Sequence, residues 1–225
     1  MIHEHHLRVS RTARYFTLGD PAGPAQDVWI VCHGYAQLAA EFIRDFEALR
    51  APGRLIAAPE GLSRFYFETG FHGPDSKVGA TWMTREDRAA EIEDYVAYLD
   101  ALHDAVFAGT KRTAAKLTVL GFSQGTATVS RWVALGKVRP DRLVLWGGLL
   151  PPDLDLAAAR ERLSRAHLIL VAGRRDRFVD EEKLSAQLAE LDRHGIPART
   201  VRHAGGHRLK ADVLGELASA GPAPA

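Results

Sequence analysis

Residues 117–125 read Leu-Thr-Val-Leu-Gly-Phe-Ser-Gln-Gly. The apolar run 117–120 leads straight into Gly121, and a helix-compatible run, 127–135, follows. A G-x-S-x-G pattern between a strand and a helix predicts a sharp turn with Ser123 at its tip. Gly121 and Gly125 are small enough to let strand and helix approach each other there. The five letters alone also fit an ordinary turn serine, so the surroundings must decide.

Working outward, the same strand signal recurs. Residues 28–32 (VWIVC) end at His33-Gly34, and 55–58 end at Pro59. Residues 143–146 end at Gly147-Gly148, and 168–172 end at Gly173. Continuous rather than alternating apolar runs fit strands buried on both faces of a parallel sheet. A weaker run, 199–203, predicts an edge strand. Residues 7–18 predict an antiparallel hairpin at the other edge, within an N-terminal unit spanning 1–20. Between the strands lie helical patterns. Thr84 to Asp87 resembles a capping box, and Ile92, Tyr95, Val96, Leu99, Leu102 and Val106 then share one helical face. Leu184, Leu188 and Leu191 mark a helix over 181–194, and Leu209, Val213, Leu214 and Leu217 mark a last one. Repeated β-α order predicts an α/β fold: a single domain over 1–225 with a mostly parallel, doubly wound sheet and helices on both faces. Residues 219–225, small and Pro-rich, are expected to form a flexible tail.

Bulk properties narrow the function classes. A 225-residue chain that is 46% hydrophobic can bury one sizeable core. A formal net charge of +1 gives no field to recruit nucleic acid or an anionic membrane. The one cysteine, Cys32, excludes an internal disulfide and fits a reducing compartment. The first residues have no apolar signal region, and no apolar run approaches the roughly 20 residues of a spanning helix. A cytoplasmic protein with no stable membrane insertion is expected. Oligomeric state is not legible.

A serine is a weak nucleophile unless a base, oriented by a third group, takes its proton. Asp176, in GRRDRFV, follows the run 168–172. His207, in AGGH, follows the weak run 199–203. Each spacing leaves room for about one βα unit, so all three residues belong on loops at one end of the sheet. His203, inside the strand, and His194, at a helix end, are the rivals of His207. Asp180 is the rival of Asp176 and reads better as the cap of the next helix. An oxyanion needs two donors. The backbone N–H of Gln124 and that of Tyr35, after His33-Gly34, are the expected pair.

With these elements in place, the chain resembles the phospholipase/carboxylesterase branch of the α/β-hydrolases, a family that includes carboxylesterases and acyl-protein thioesterases. The resemblance rests on His33-Gly34, GFSQG at 121–125, G-x-x-D-x-x-V at 173–179 and GGH at 205–207. It implies a nucleophile, acid and base at Ser123, Asp176 and His207. It also implies hydrolysis of short- to medium-chain carboxylic esters through an acyl-enzyme, without a cofactor. Thioester or lysophospholipid cleavage is the neighbouring alternative. A hydrolase-fold receptor that binds a small ligand without turnover is the alternative of another class. The chain departs from the family at Thr126, where a second glycine is common, and at Tyr35, where an aliphatic residue is usual. Residues 61–87 also depart.

That last segment is long and aromatic. Trp82, Phe65 and Phe71 are assigned to the acyl pocket, with packing of the loop as the competing reading. The short stretch 149–155 leaves no room for a large lid. No metal is expected: His3, His5 and His6 lie in an unpaired N-terminal stretch. Cys32 reads as a buried small apolar residue, and His33 as support for its loop. Arg174, Arg175 and Arg177 flank the acid, either as a solvated face or as an attractor of an anionic group.

Overall fold

The structure, a computed structural model, describes residues 1–21, 23–108 and 115–220. A seven-stranded sheet runs in the order β1-β3-β2-β6-β7-β8-β9. Its strands are β1 (Tyr15–Leu18), β2 (Asp27–Cys32), β3 (Arg54–Pro59), β6 (Lys116–Phe122), β7 (Arg142–Trp146), β8 (His167–Gly173) and β9 (Ala198–His203). All pairs are parallel except β1–β3. The five apolar runs are thus strands, each extended by one to three residues, and the weak run is the edge strand β9.

Side chains along each strand alternate between two cores. Val28, Ile30 and Cys32 of β2 join Leu117 and Val119 of β6 in one. That face is covered by α2 (Arg88–Ala108), α3 (Gln124–Leu135), α4 (Leu156–Arg165) and α5 (Glu181–Arg193). Trp29 and Val31 join Leu120 and Phe122 in the other. There α1 (Ala39–Phe42), the 3-10 turn Ile43–Leu49 and α6 (Ala211–Ser219) pack. Val129, Trp132 and Val133 fix α3 to the sheet and have no exposed surface. Each such side chain contributes about 2 kcal/mol of burial. All four indoles find acceptors: Trp29 on Asp27, Trp82 on the His33 carbonyl, Trp132 on Asp100 and Trp146 on the Arg208 carbonyl.

Three expectations need correction. The N-terminal edge holds one antiparallel strand, β1, and no hairpin. Strand pairing on β3 covers only Tyr15–Leu18, and the residues before it meet the rest of the protein through side chains such as Arg8 on Glu93 and Arg14 on Glu60. The long aromatic segment is not structureless. It folds as an antiparallel pair, β4 (Ser63–Tyr66) on β5 (Val78–Thr81), standing on the end of β3. Ser219 ends α6, its hydroxyl donating to the Gly215 carbonyl. The rest of the expected tail, 221–225, lies outside the described residues. In the capping-box region, Thr84 Oγ1 accepts from the Glu86 N–H and Glu91 accepts from the Thr84 N–H. The helix itself begins at Arg88.

The hairpin's foot is tied down by Glu60, 1% exposed, at the end of β3. Its carboxylate accepts from Arg14 Nε at 2.7 Å, Arg64 Nε at 2.5 Å and the Ala39 N–H at 3.2 Å. Burial alone would raise its pKa, but the Arg14, Arg64 and Ala39 hydrogen bonds outweigh it and hold the carboxyl below the usual range. A depressed pKa means stability that is present above the unfolded value, about 4.3 for Glu, and lost as pH falls through the folded one. Glu60→Gln is therefore expected to cost about 2 kcal/mol at pH 7, because both arginines keep partial access to water. The variant's urea midpoint should also respond less to acid below about pH 4 than the wild type's. Parallel acid curves for the two proteins would show that Glu60 carries no such linkage.

Candidate active site

Ser123 sits at φ 53, ψ −117, between β6 and α3. This positive φ is costly for a residue with a Cβ and is held by its surroundings. The Ser123 N–H donates to the Trp146 carbonyl at 2.9 Å, and its own carbonyl accepts from the Thr126 N–H at 3.0 Å. Thr126 Oγ1 donates to that same carbonyl at 2.7 Å. The residue that departs from the family thus stitches the turn. The two flanking glycines are required by close approach. A Cβ on Gly121 would lie 2.2 Å from the Gly125 carbonyl oxygen, and one on Gly125 would lie 2.3 Å from that of Cys32.

The structure brings Ser123, His207 and Asp176 into one line. His207 Nε2 is 2.9 Å from Ser123 Oγ, and His207 Nδ1 is 2.9 Å from Asp176 Oδ2. The carboxylate can only accept, so Nδ1 carries the proton and Nε2 is free to accept from the serine. Asp176 follows β8, and its side chain is 1% exposed. Its other oxygen accepts from the Phe178 N–H at 2.8 Å. The imidazole lies between Phe122 and Phe178, with ring centroids 4.9 and 4.5 Å away. Gly147, at φ +64, makes room for it: a Cβ there would stand 3.0 Å from Nδ1. The rivals lie elsewhere. His203 is buried against Trp146, and His194 caps α5. Asp180 caps the same helix at its start, accepting from the Lys183 N–H.

The loop after β2 runs against the turn, where a Cβ on Gly34 would lie 3.1 Å from that of Ser123. The Gly34 N–H is engaged by Gln37 Oε1 and the Ala36 N–H by the Ala80 carbonyl. The Tyr35 N–H lies between these engaged donors. The Gln124 N–H opens α3, among the first-turn groups that have no intrahelical acceptor. Its side-chain amide has a separate job, missed in the sequence. Oε1 accepts from the Trp82 N–H at 3.2 Å and Nε2 donates to the Met83 carbonyl at 3.0 Å, locking the turn to the end of β5. No local spacing encodes that contact.

His33 is buried in the same loop. Nδ1 donates to the Gly34 carbonyl at 2.7 Å, and Nε2 accepts from the Gly61 N–H at 2.9 Å. These partners fix one neutral tautomer, and burial lowers its pKa further. It therefore supports the loop and has no free nitrogen for a substrate. Cys32 is fully buried, and burial pushes its thiol well above the usual range. Glu60 was also missed, although a lone acid directly after a buried strand is a readable signal.

The three residues assigned to an acyl pocket separate. Trp82 is 2% exposed, stacks near His33 and lines a 930 Å³ cavity under residues 6–13. Neither Ser123 nor His207 lines that cavity. Phe71 is 98% exposed between β4 and β5 and does not line that cavity. Phe65 alone stands by the loop, stacked on Tyr35 at 5.2 Å. His6 is not unpaired: Nε2 lies 3.0 Å from Asp87 Oδ2. Among the described residues Glu4, His6 and Asp87 form the group that could hold a metal ion, all three exposed. No helix there is long and apolar enough to cross a membrane.

Comparisons place this geometry among known folds. Acyl-protein thioesterase 2 of Zea mays superposes with a TM-score of 0.65 at 18% identity, over 92% of this chain and 96% of its own. Esterase PE8 gives 0.66 at 22%, over 93% and 97%. A phospholipase/carboxylesterase from Dyadobacter fermentans gives 0.65 at 15%, over 94% and 97%. At these identities the likeness shows the α/β-hydrolase fold. No curated protein is a significant match to the sequence. The family model for serine hydrolase (FSH1) matches residues 23–210, most of the chain, and the chain belongs to that family of hydrolases.

Proposed function

We propose that the protein hydrolyses carboxylic esters of short to medium acyl chains through a Ser123–His207–Asp176 triad. The observation that carries this reading is the unbroken hydrogen-bonded line from Asp176 Oδ2 to Ser123 Oγ, ending on a serine held at positive φ. Ser123 Oγ attacks the acyl carbonyl while His207 Nε2 takes its proton. Asp176 keeps the imidazole oriented and stabilises its charged form. The N–H groups of Gln124 and Tyr35 receive the oxyanion, each worth about 3 kcal/mol by analogy with measured donors. The tetrahedral intermediate collapses with loss of the alcohol, which takes the proton from His207. Water, deprotonated by His207, then attacks the acyl-enzyme and releases the acid.

Acyl thioesters enter by the same steps, and one structural neighbour is an acyl-protein thioesterase. Only nine residues, 147–155, separate β7 from α4, too few for a large lid over the site. Soluble substrates should therefore be turned over without an interface. The test is p-nitrophenol release from acetyl, butyryl and octanoyl esters with an acyl thioester alongside, and mass spectrometry after a fluorophosphonate. A single adduct on the peptide holding Ser123, with turnover of at least one ester, is the expected result. An adduct elsewhere would remove Ser123 from its role.

A further inference from the structure

The mouth of the site has two unlike walls. On one side the exposed Tyr35 stacks on Phe65, and Phe65 reaches Phe67 at 5.8 Å. On the other, Phe178 covers His207 and carries the Arg177 guanidinium over its own ring at 4.8 Å. Arg174, Arg175 and Arg208 are exposed on the same pair of loops. Those loops are laced together: the Arg174 N–H donates to the His203 carbonyl and the Arg175 N–H to that of Gly205. Among the described residues three carboxylates of this corner pair with other groups, and Glu182 and Asp212 stand nearby outside any ion pair. Asp176 holds His207, Asp180 holds Lys183 and Glu181 holds Arg202. None of these ion pairs engages Arg174, Arg175, Arg177 or Arg208.

The chain as a whole is nearly neutral, at +1. Four arginines outside the ion pairs, on two loops that also deliver the acid and the base, are therefore a local concentration of charge. A cation stacked on an aromatic ring is partly shielded from water, so its field is screened less than that of a free side chain. It stands two ring contacts from the Ser123–His207 pair.

We infer that the site takes an amphiphilic substrate carrying an anionic group, a carboxylate or a phosphate. Arg177 holds the anion, with Arg174, Arg175 and Arg208 adding to the field, and the apolar part lies along Tyr35 and Phe65. This deepens the esterase reading and rests on it only for the position of the reacting carbonyl.

Binding tests it without turnover. Calorimetry at low salt would compare hexanol, hexanoate, hexyl phosphate and inorganic phosphate. Hexanoate or hexyl phosphate should bind at least about tenfold more tightly than hexanol, and inorganic phosphate more weakly than hexyl phosphate. Which of the two amphiphiles binds better tells carboxylate from phosphate. Arg177→Gln should lower that affinity roughly fivefold, Arg177→Lys should retain most of it, and 0.5 M salt should remove the preference. Equal affinity for hexanol and both anions, or no response to Arg177→Gln and Arg174→Gln/Arg175→Gln together, would overturn the inference. So would adhesion to phosphatidylglycerol vesicles without binding of hexyl phosphate, which would point to a membrane surface. The kinetic arm compares p-nitrophenyl butyrate with the mono-p-nitrophenyl ester of succinate. Loss of ester turnover with anion-selective binding intact would count against the nucleophile and not against the anion site.

Discussion

Ser123→Ala and His207→Ala are each expected to lower kcat for ester hydrolysis by about 10⁶-fold, and the double variant by little more. The reason lies in the coupling between the two groups. Oγ and Nε2 are 2.9 Å apart, and in the proposed mechanism neither acts in the attack without the other. A serine without its base cannot shed its proton, and a base without the serine has nothing to activate. What survives should be a residual acceleration of about 10³–10⁴ over water, from the oxyanion donors and binding. Losses that multiply in the double variant would mean two independent contributions, and the line from Asp176 to Ser123 would not be a catalytic unit. Equal weak rates in wild type and Ser123→Ala would remove Ser123 from the chemistry altogether.

The residues in that line were legible because fold and chemistry share one signal. β2, β3, β6, β7 and β8 are covered on both faces, so they read as unbroken apolar runs with sharp ends. Candidates placed just past those ends fall at one end of the sheet, as Ser123 does after β6 and Asp176 after β8, whereas His207 follows β9. β9 read weakly because it is an edge strand, with Arg199 and Thr200 exposed. β4 and β5 did not read as strands. Their Ser-Arg-Phe-Tyr and Val-Gly-Ala-Thr are short and mixed, and the pair stabilises itself by stacking Tyr66 on His72 outside any core. Aromatic content there reads equally as a pocket or as packing of the loop; Trp82 supports His33 from within, and Phe71 faces water. Beside Arg64 four residues on, Glu60 binds Ala39 and Arg14, and the amide of Gln124 binds Trp82 and Met83, all four more than twenty residues away. Such contacts have no period or spacing. They follow from the packing, which is why the support of the site came from the structure.

Asp176→Asn is expected to lower kcat by about 10⁴-fold while leaving the fold in place. Asp176 uses both oxygens. Oδ1 accepts from the Phe178 N–H at 2.8 Å and the Val179 N–H at 3.4 Å, and Oδ2 accepts from His207 Nδ1. An asparagine has one acceptor for these two duties. If its oxygen keeps the backbone N–H groups, its NH₂ faces His207 and must donate to Nδ1. The imidazole then carries its proton on Nε2, the nitrogen that has to accept from Ser123, and the base is lost. If the amide turns over, its NH₂ meets two N–H donors inside a site whose carboxylate is 1% exposed. An unmade hydrogen bond there costs about 1–3 kcal/mol, so the first arrangement should win. The ¹⁵N shifts of His207 decide between a tautomer effect and general damage. Wild type should show protonated Nδ1 and unprotonated Nε2, and Asp176→Asn the reverse, with a similar thermal midpoint. An unchanged tautomer with full activity would show that Asp176 merely braces its loop. An unchanged tautomer with the same loss of rate would place its contribution in stabilising the imidazolium.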